Sequence, residues 1–182
     1  MKLQAPVLIA DTSTLLNLYA SDKFEDILKA IPCPVTIVEN VLKETQYILR
    51  EGLKESKEII ELEPYISKGL LSVSCFGSDD EKARFIQFTQ ELDDGEAATG
   101  AIAFHRKWDI AIDDKKGRAV FAREIPSSIC VSTLEIVEHT ASSLMWDNET
   151  LMSTIKKISL QARFRPHKGC DLENWWNEYL MK

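Results

Sequence analysis

The run Val7-Leu8-Ile9-Ala10 is apolar at every position and ends on Asp11. A run this short and this unbroken reads as a strand buried on both faces, the environment of a parallel sheet. The pattern returns at Ile110-Ala111-Ile112, which ends on Asp113-Asp114, and, with Thr36 as its one polar residue, at Val35-Thr36-Ile37-Val38 behind Pro32 and Pro34. Helical stretches separate these runs. Thr12, Ser13 and Thr14 can cap a helix through Leu15, Leu16, Leu18 and Tyr19, and a second helix is expected over 23–30. A helix over 40–50 carries Val41, Leu42, Thr45, Ile48 and Leu49 at roughly helical spacing, with a charged extension to residue 62 stopped by Pro64. Strands over 69–76 and 129–131 and helices over 79–92, 94–107 and 116–124 complete the alternation.

Apolar runs alternating with helices predict βαβ units. The expected fold class is therefore α/β: a three-layer α/β/α arrangement with a mostly parallel, Rossmann-like sheet. Residues 1–133 form one domain on this reading. Residues 134–182 form a helical C-terminal extension packed on that domain, with breaks near Asp147 and over 166–169.

The 182 residues suit one domain with a sizeable core. Hydrophobic residues at 45% and charged residues at 28% match a soluble globular chain. No apolar run approaches the roughly 20 residues of a membrane helix, so no membrane partner is expected. The N-terminus lacks a signal-peptide pattern. Cys33, Cys75, Cys130 and Cys170 form no CxxC pair and suit buried thiols in a reducing compartment, so the expected location is cytoplasmic. The net charge of −7 counts against simple electrostatic binding of nucleic acid. Two basic sets stand out locally: Lys115, Lys116 and Arg118 after the Asp pair, and Lys156, Lys157, Arg163, Arg165 and Lys168 without an intervening acid. Each can equally be a solvated face.

The acids carry the functional signal. Asp11 and Asp113 fall at the carboxyl ends of strands, where open α/β sheets bind ligands. Asp93 and Glu96, three residues apart at a helix start, share a face, and Ala97, Ala98, Gly100, Ala101 and Ala103 let that helix approach its neighbours. Glu44 lies in the expected 40–50 helix. Clustered carboxylates repel and raise one another's pKa unless cations join them, so the set reads as a site for Mg2+ or Mn2+. Each acid alone also has a purely structural explanation: Asp94 as an N-cap, Glu96 as a first-turn carboxylate, Asp113-Asp114 as a turn, Glu44 on a solvated helix face.

Val7-Leu8-Ile9-Ala10-Asp11-Thr12-Ser13 resembles the opening motif of PIN-domain nucleases. Val41-Leu42-Lys43-Glu44, Leu92-Asp93-Asp94-Gly95-Glu96-Ala97 and Ile112-Asp113-Asp114-Lys115-Lys116-Gly117-Arg118 resemble the second, third and fourth motifs. The last carries an Asp pair and Gly-Arg in place of the usual Thr-x-Asp. The resemblance spans residues 6–132 and extends to VapC-like toxins of toxin–antitoxin pairs. It implies Asp11, Glu44, Glu96 and Asp113 as catalytic carboxylates. Asp11, Glu96, Asp113 and Asp114 are the implied metal ligands, with Asp113 and Asp114 rivals for one place. Ser13, Lys115, Lys116 and Arg118 are the expected substrate contacts.

The implied activity is that of a Mg2+- or Mn2+-dependent endoribonuclease, leaving 5′-phosphate and 3′-hydroxyl ends. RNA is the implied substrate, and an antitoxin protein is the implied partner if the chain is a toxin. Trp175-Trp176, with Leu172 and Tyr179, forms an apolar face that packs on the domain or serves a homodimer. His105, His139 and His167 are dispersed and read as structural or surface residues. Two other readings compete: a catalytically inactive PIN-like module that binds RNA or protein, and a Mg2+-dependent phosphatase or phosphotransfer domain. The second wants an Asp two residues after Asp11, where Ser13 stands.

Overall fold

The computed structural model describes residues 1–39, 47–50 and 56–181. Its centre is a five-stranded, all-parallel sheet made of β1 (Leu8–Ala10), β2 (Val35–Val38), β5 (Leu71–Ser74), β6 (Asp109–Ala111) and β7 (Cys130–Val131), in the order β5-β2-β1-β6-β7. Every residue of β1, β2 and β6 is buried. This is why those runs are mostly apolar, with Thr36 and Asp109 the buried polar exceptions: both faces are covered by helices.

The helices are α1 (Thr12–Tyr19), α2 (Phe24–Ala30), α3 (Glu63–Ser67), α4 (Asp79–Phe88), α5 (Asp94–Arg106), α6 (Lys115–Glu124), α7 (Thr133–Ser143), α8 (Asn148–Gln161) and α9 (Glu173–Met181). Helix α5 packs on β1, β2 and β6, with α4 and α6 against it. Helices α1, α2, α7 and α8 pack together as the other layer. The small residues of α5 permit its close seat. A Cβ at Gly100 would collide with the Phe121 ring of α6 and come within 3.2 Å of Phe88. The fold is the three-layer α/β/α arrangement expected from the alternation.

One stretch departs from expectation. Residues 47–50 and the described part of the charged extension after them are not helical. Strands β3 (Tyr47–Arg50) and β4 (Ser56–Ile59) form a separate antiparallel pair. Ile48 is buried against the domain, and the Lys57 ammonium lies 4.2 Å from the centre of the Tyr47 ring. Cross-strand contacts and burial outweigh the approximate helical spacing of the apolar residues, because local propensity is a weak preference. Pro64 does not stop a helix either; it sits in the first turn of α3, where its missing N–H costs nothing.

Beyond residue 134, α8 runs back along α1 and β3. Trp176 of α9 is fully buried, stacks edge-on against Phe164 at 5.3 Å, and reaches Ser159 Oγ of α8 with its indole N–H at 3.3 Å. No helix among the described residues is long and apolar enough to cross a membrane.

Candidate active site

The chain leaves β1 towards β2 and β5 on one side and returns to β6 and β7 on the other. The crevice at the carboxyl ends of β1 and β6 is therefore the switch point where α/β sheets take ligands. A cleft of about 920 Å³ opens there. Asp11, Asp93, Asp94, Glu96, Asp113 and Asp114 all line it together with Ser13, so these sequence-predicted residues share one cleft. Glu44 lies outside the described residues.

Three of the acids are also helix caps. Asp11 accepts the Ser13 N–H at 3.0 Å and the Ser13 hydroxyl at 2.6 Å, opening α1. Asp93 accepts the Glu96 N–H at 2.8 Å, opening α5, so Asp94 is the first helical residue rather than the cap. Asp114 accepts the Gly117 N–H at 2.8 Å, opening α6. Three helix N-termini thus point their partial positive charge at one cleft. The capping role and the cleft-lining role coexist in the same side chains.

The electrostatics are those of crowded negative charge. Burial, ahead of the neighbouring Asp93 charge, raises the Asp11 carboxyl, while its Ser13 hydrogen bonds pull the other way. Burial first, and then Asp93, Asp11 and Asp114, push Glu96 up to about 7, with Lys116 opposing. Glu96 is 9% exposed, and its carboxylate accepts no hydrogen bond from any described residue. Gly117 makes room for it: a Cβ there would lie 3.3 Å from Glu96 Oε1 and 2.5 Å from Ile112 Cδ1.

Asp113 is held differently. Its carboxylate accepts from Thr14 Oγ1 (3.2 Å), Asn17 Nδ2 (3.0 Å), the Thr133 N–H (2.9 Å) and the Thr133 hydroxyl. It ties the ends of α1 and α7 to the end of β6. Thr14, Asn17 and Thr133 carry no sequence signal of their own, because only the fold brings them to Asp113.

The expected substrate contacts divide. Ser13 lines the cleft. Lys115 and Lys116 are exposed at the start of α6 and are not among the lining residues. Arg118 turns away, donating to the carbonyls of Ile112 and Cys130 and lying 3.8 Å from Glu135. Arg163, Phe164, Arg165 and His167 line the same cleft. Nothing in the order of residues marks them for that place: His167 is one of three scattered histidines, and the arginines belong to a basic run that also suits a solvated face.

The PIN-domain sequence pattern matches residues 7–142, most of the chain. The chain belongs to the PIN-domain family. No curated protein and no solved structure matches it. PIN domains are generally nucleases that use divalent metals, so the fold is of nuclease type and the chain falls with the hydrolases. The donors in this PIN cleft suit such an ion chemically: they are all hard oxygens, and Glu96 is a buried carboxylate with no donor among the described residues. Their side chains are not gathered into a ready cage; among the described residues no three His, Cys, Asp or Glu side chains converge tightly enough to hold an ion.

Proposed function

We propose that this PIN domain is a Mg2+- or Mn2+-dependent ribonuclease that hydrolyses phosphodiester bonds in single-stranded or looped RNA. The observation that carries the reading is Glu96: buried in a cleft with Asp93, Asp11 and Asp114, without a hydrogen-bond donor among the described residues, and raised to about 7 by burial first and then by those three acids. A protein maintains such congestion where charge of the opposite sign is to be bound.

Asp11, Glu96 and Asp114 would hold the cation, with Asp113 beside them. When bound, the cation supplies positive charge that makes water more acidic and offsets charge gathering on the phosphate. The chain's own residues do the positioning. Asp113 locks α1 and α7 against β6, Ser13 fixes the Asp11 carboxylate, and Gly117 leaves space for Glu96. In the reaction, water oxygen bonds to phosphorus, the bond from phosphorus to the 3′ oxygen breaks, and the departing oxygen takes a proton from the water. The products are a 5′-phosphate and a 3′-hydroxyl.

The test is cleavage of labelled single-stranded RNA with Mn2+ by the wild type, Asp11→Asn and Glu96→Gln. Cleavage is expected to disappear in both variants while the thermal midpoint stays within a few degrees. Full activity in clean Asp11→Asn would sink the proposal. A second reading is a PIN scaffold that binds without cutting. Calorimetric titration decides: failure of Mn2+ to bind at millimolar levels favours the scaffold. A toxin role, with an antitoxin protein as partner, is the narrower form of the nuclease reading. Growth arrest on expression, relieved by Asp11→Asn, is its expected sign.

A further inference from the structure

We propose that the segment 163–167 is the phosphate-binding wall of the cleft, with Arg165 and Arg163 gripping the backbone of a single-stranded RNA that reaches the carboxylates. This rests on the ribonuclease reading and adds to it the residues that place the strand. These residues lie beyond the matched stretch 7–142 and belong to the C-terminal extension.

The geometry of the segment is the first support. Exposure alternates along it, and Arg163 opens it in the left-handed region (φ 55°). Arg163, Arg165 and His167 are exposed, and Phe164 is half-buried. Phe164 is anchored edge-on to the fully buried Trp176. At the other end, His167 Nε2 donates to the main-chain oxygen of Asp113 at 2.6 Å. Before the segment, the Ala162 N–H closes α8 on Ile158 O at 3.2 Å; after it, the Cys170 N–H turns back on His167 O at 3.2 Å. The stretch is thus pinned at several points, and its basic side chains are carried on a fixed support.

The state of Arg165 is the second support. Arg84, Arg106, Arg118 and Arg123 each pair with a glutamate. Arg165 makes no ion pair with any described residue, although it shares a cleft with Asp11, Asp94 and Asp114. An accessible guanidinium kept off nearby carboxylates remains available for an external anion. Its planar fork matches a phosphate with two parallel hydrogen bonds.

The third support is the polarity of the cleft. Its lining combines carboxylates, which repel a phosphodiester until cations join them, with Arg163 and Arg165. A strand held by its phosphates on the arginines presents the next bond to the carboxylates. Such contacts set register and orientation without reading sequence. Asp11 and Glu96 are buried at 4% and 9% exposure, so the strand that reaches them is thin, a single strand rather than a duplex.

The experiment uses the full chain carrying Asp11→Asn to prevent cleavage. Binding of a short fluorescein-labelled single-stranded RNA is followed by anisotropy over a series of KCl concentrations. Arg165→Ala is expected to weaken binding about tenfold, and Arg163→Ala with Arg165→Ala further. The slope of log K against log salt should become shallower by about 0.7 for each phosphate that no longer meets an arginine. Arg165→Lys should keep the slope and lose part of the affinity, because charge survives and the fork does not. A DNA strand of the same sequence should lose the same factor, since the arginines grip phosphate. The thermal midpoint should not move, as the Arg165 side chain packs no core.

The wall is overturned if the double arginine variant binds with the parent's affinity and salt slope, or if the parent binds no strand at all. The two proposals separate cleanly. A wild type that cleaves RNA, with arginine variants equally active and equally tight, removes the wall alone. A wild type that binds RNA through the arginines but never cleaves it with Mn2+ removes the ribonuclease reading alone.

Discussion

His167 Nε2 lies 2.6 Å from the main-chain oxygen of Asp113, across 54 residues of sequence. One end of this hydrogen bond belongs to the C-terminal extension and the other to the carboxyl end of the central sheet. It joins the wall of the cleft to its floor. Asp113 is therefore held from both sides, through its main chain by His167 and through its carboxylate by α1 and α7.

Removing that link should loosen the wall without unfolding the domain. His167→Ala is expected to cost about 0.5–1.5 kcal/mol, the ordinary worth of a hydrogen bond. Limited proteolysis with trypsin should then cut faster after Arg163 and Lys168. Unchanged cutting rates would show that Phe164 and Trp176 hold the segment unaided.

Asp113 and Asp11 should separate in stability measurements. Asp113→Ala strands the donors of Thr14, Asn17 and Thr133, and a loss of about 2–4 kcal/mol in urea unfolding is expected. Asp11→Asn loses little, because Asn also caps helices and one charge leaves a crowded cleft. Equal losses in the two variants would contradict this division.

Glu96 gives the metal-free protein a signed pH dependence. Its carboxyl is raised from 4.5 to about 7 in the native state, so the native state holds the proton more tightly than the unfolded chain. Below pH 4.5 the group is neutral in both states and no penalty applies. As pH climbs from 4.5 to 7, the unfolded chain ionises first and native stability falls; above 7 the penalty is constant. In EDTA, the stability difference between wild type and Glu96→Gln should open across this window and then level off. A difference independent of pH would rule it out.

Gly117→Ala tests the space around Glu96. The added methyl meets Ile112 Cδ1 and Glu96 Oε1. Ile112 can rotate, and alanine's helix preference offsets part of the crowding, so the midpoint should shift only by a few degrees. Cleavage should fall by about tenfold to a hundredfold, as displacement of a reacting group does. Normal cleavage would show that Glu96 need not sit where Gly117 lets it.

Much of this was legible along the chain because it is local. The largely apolar runs at 7–10, 35–38 and 110–112 mark the strands Leu8–Ala10, Val35–Val38 and Asp109–Ala111, since doubly covered strands leave little room for polar side chains. The helix starts near Asp11, Asp93 and Asp114 were legible to within a residue or two, although these acids are the caps in place of the expected Thr12, Ser13 or Thr14 and Asp94. The β3–β4 pair was not legible: Ile48 and Leu49 fit a helical face as well as a strand, and the choice was made by pairing with residues 56–59. The basic residues divided in the same way. Lys115, Lys116 and Arg118 follow the acids in sequence, yet the cleft faces Arg163 and Arg165.

The sequence by itself determined the layered α/β fold and the acids at strand ends and helix starts. Both follow from hydrophobic periodicity and from short-range hydrogen bonding, which act over a few residues. Only the tertiary structure decided that Asp113 is a fastening point, that Glu96 lacks a donor among the described residues, and that the C-terminal extension walls the cleft. Those properties depend on Thr133, Gly117, Trp176 and His167 arriving from distant parts of the chain, and contacts between distant segments leave no periodic trace in sequence.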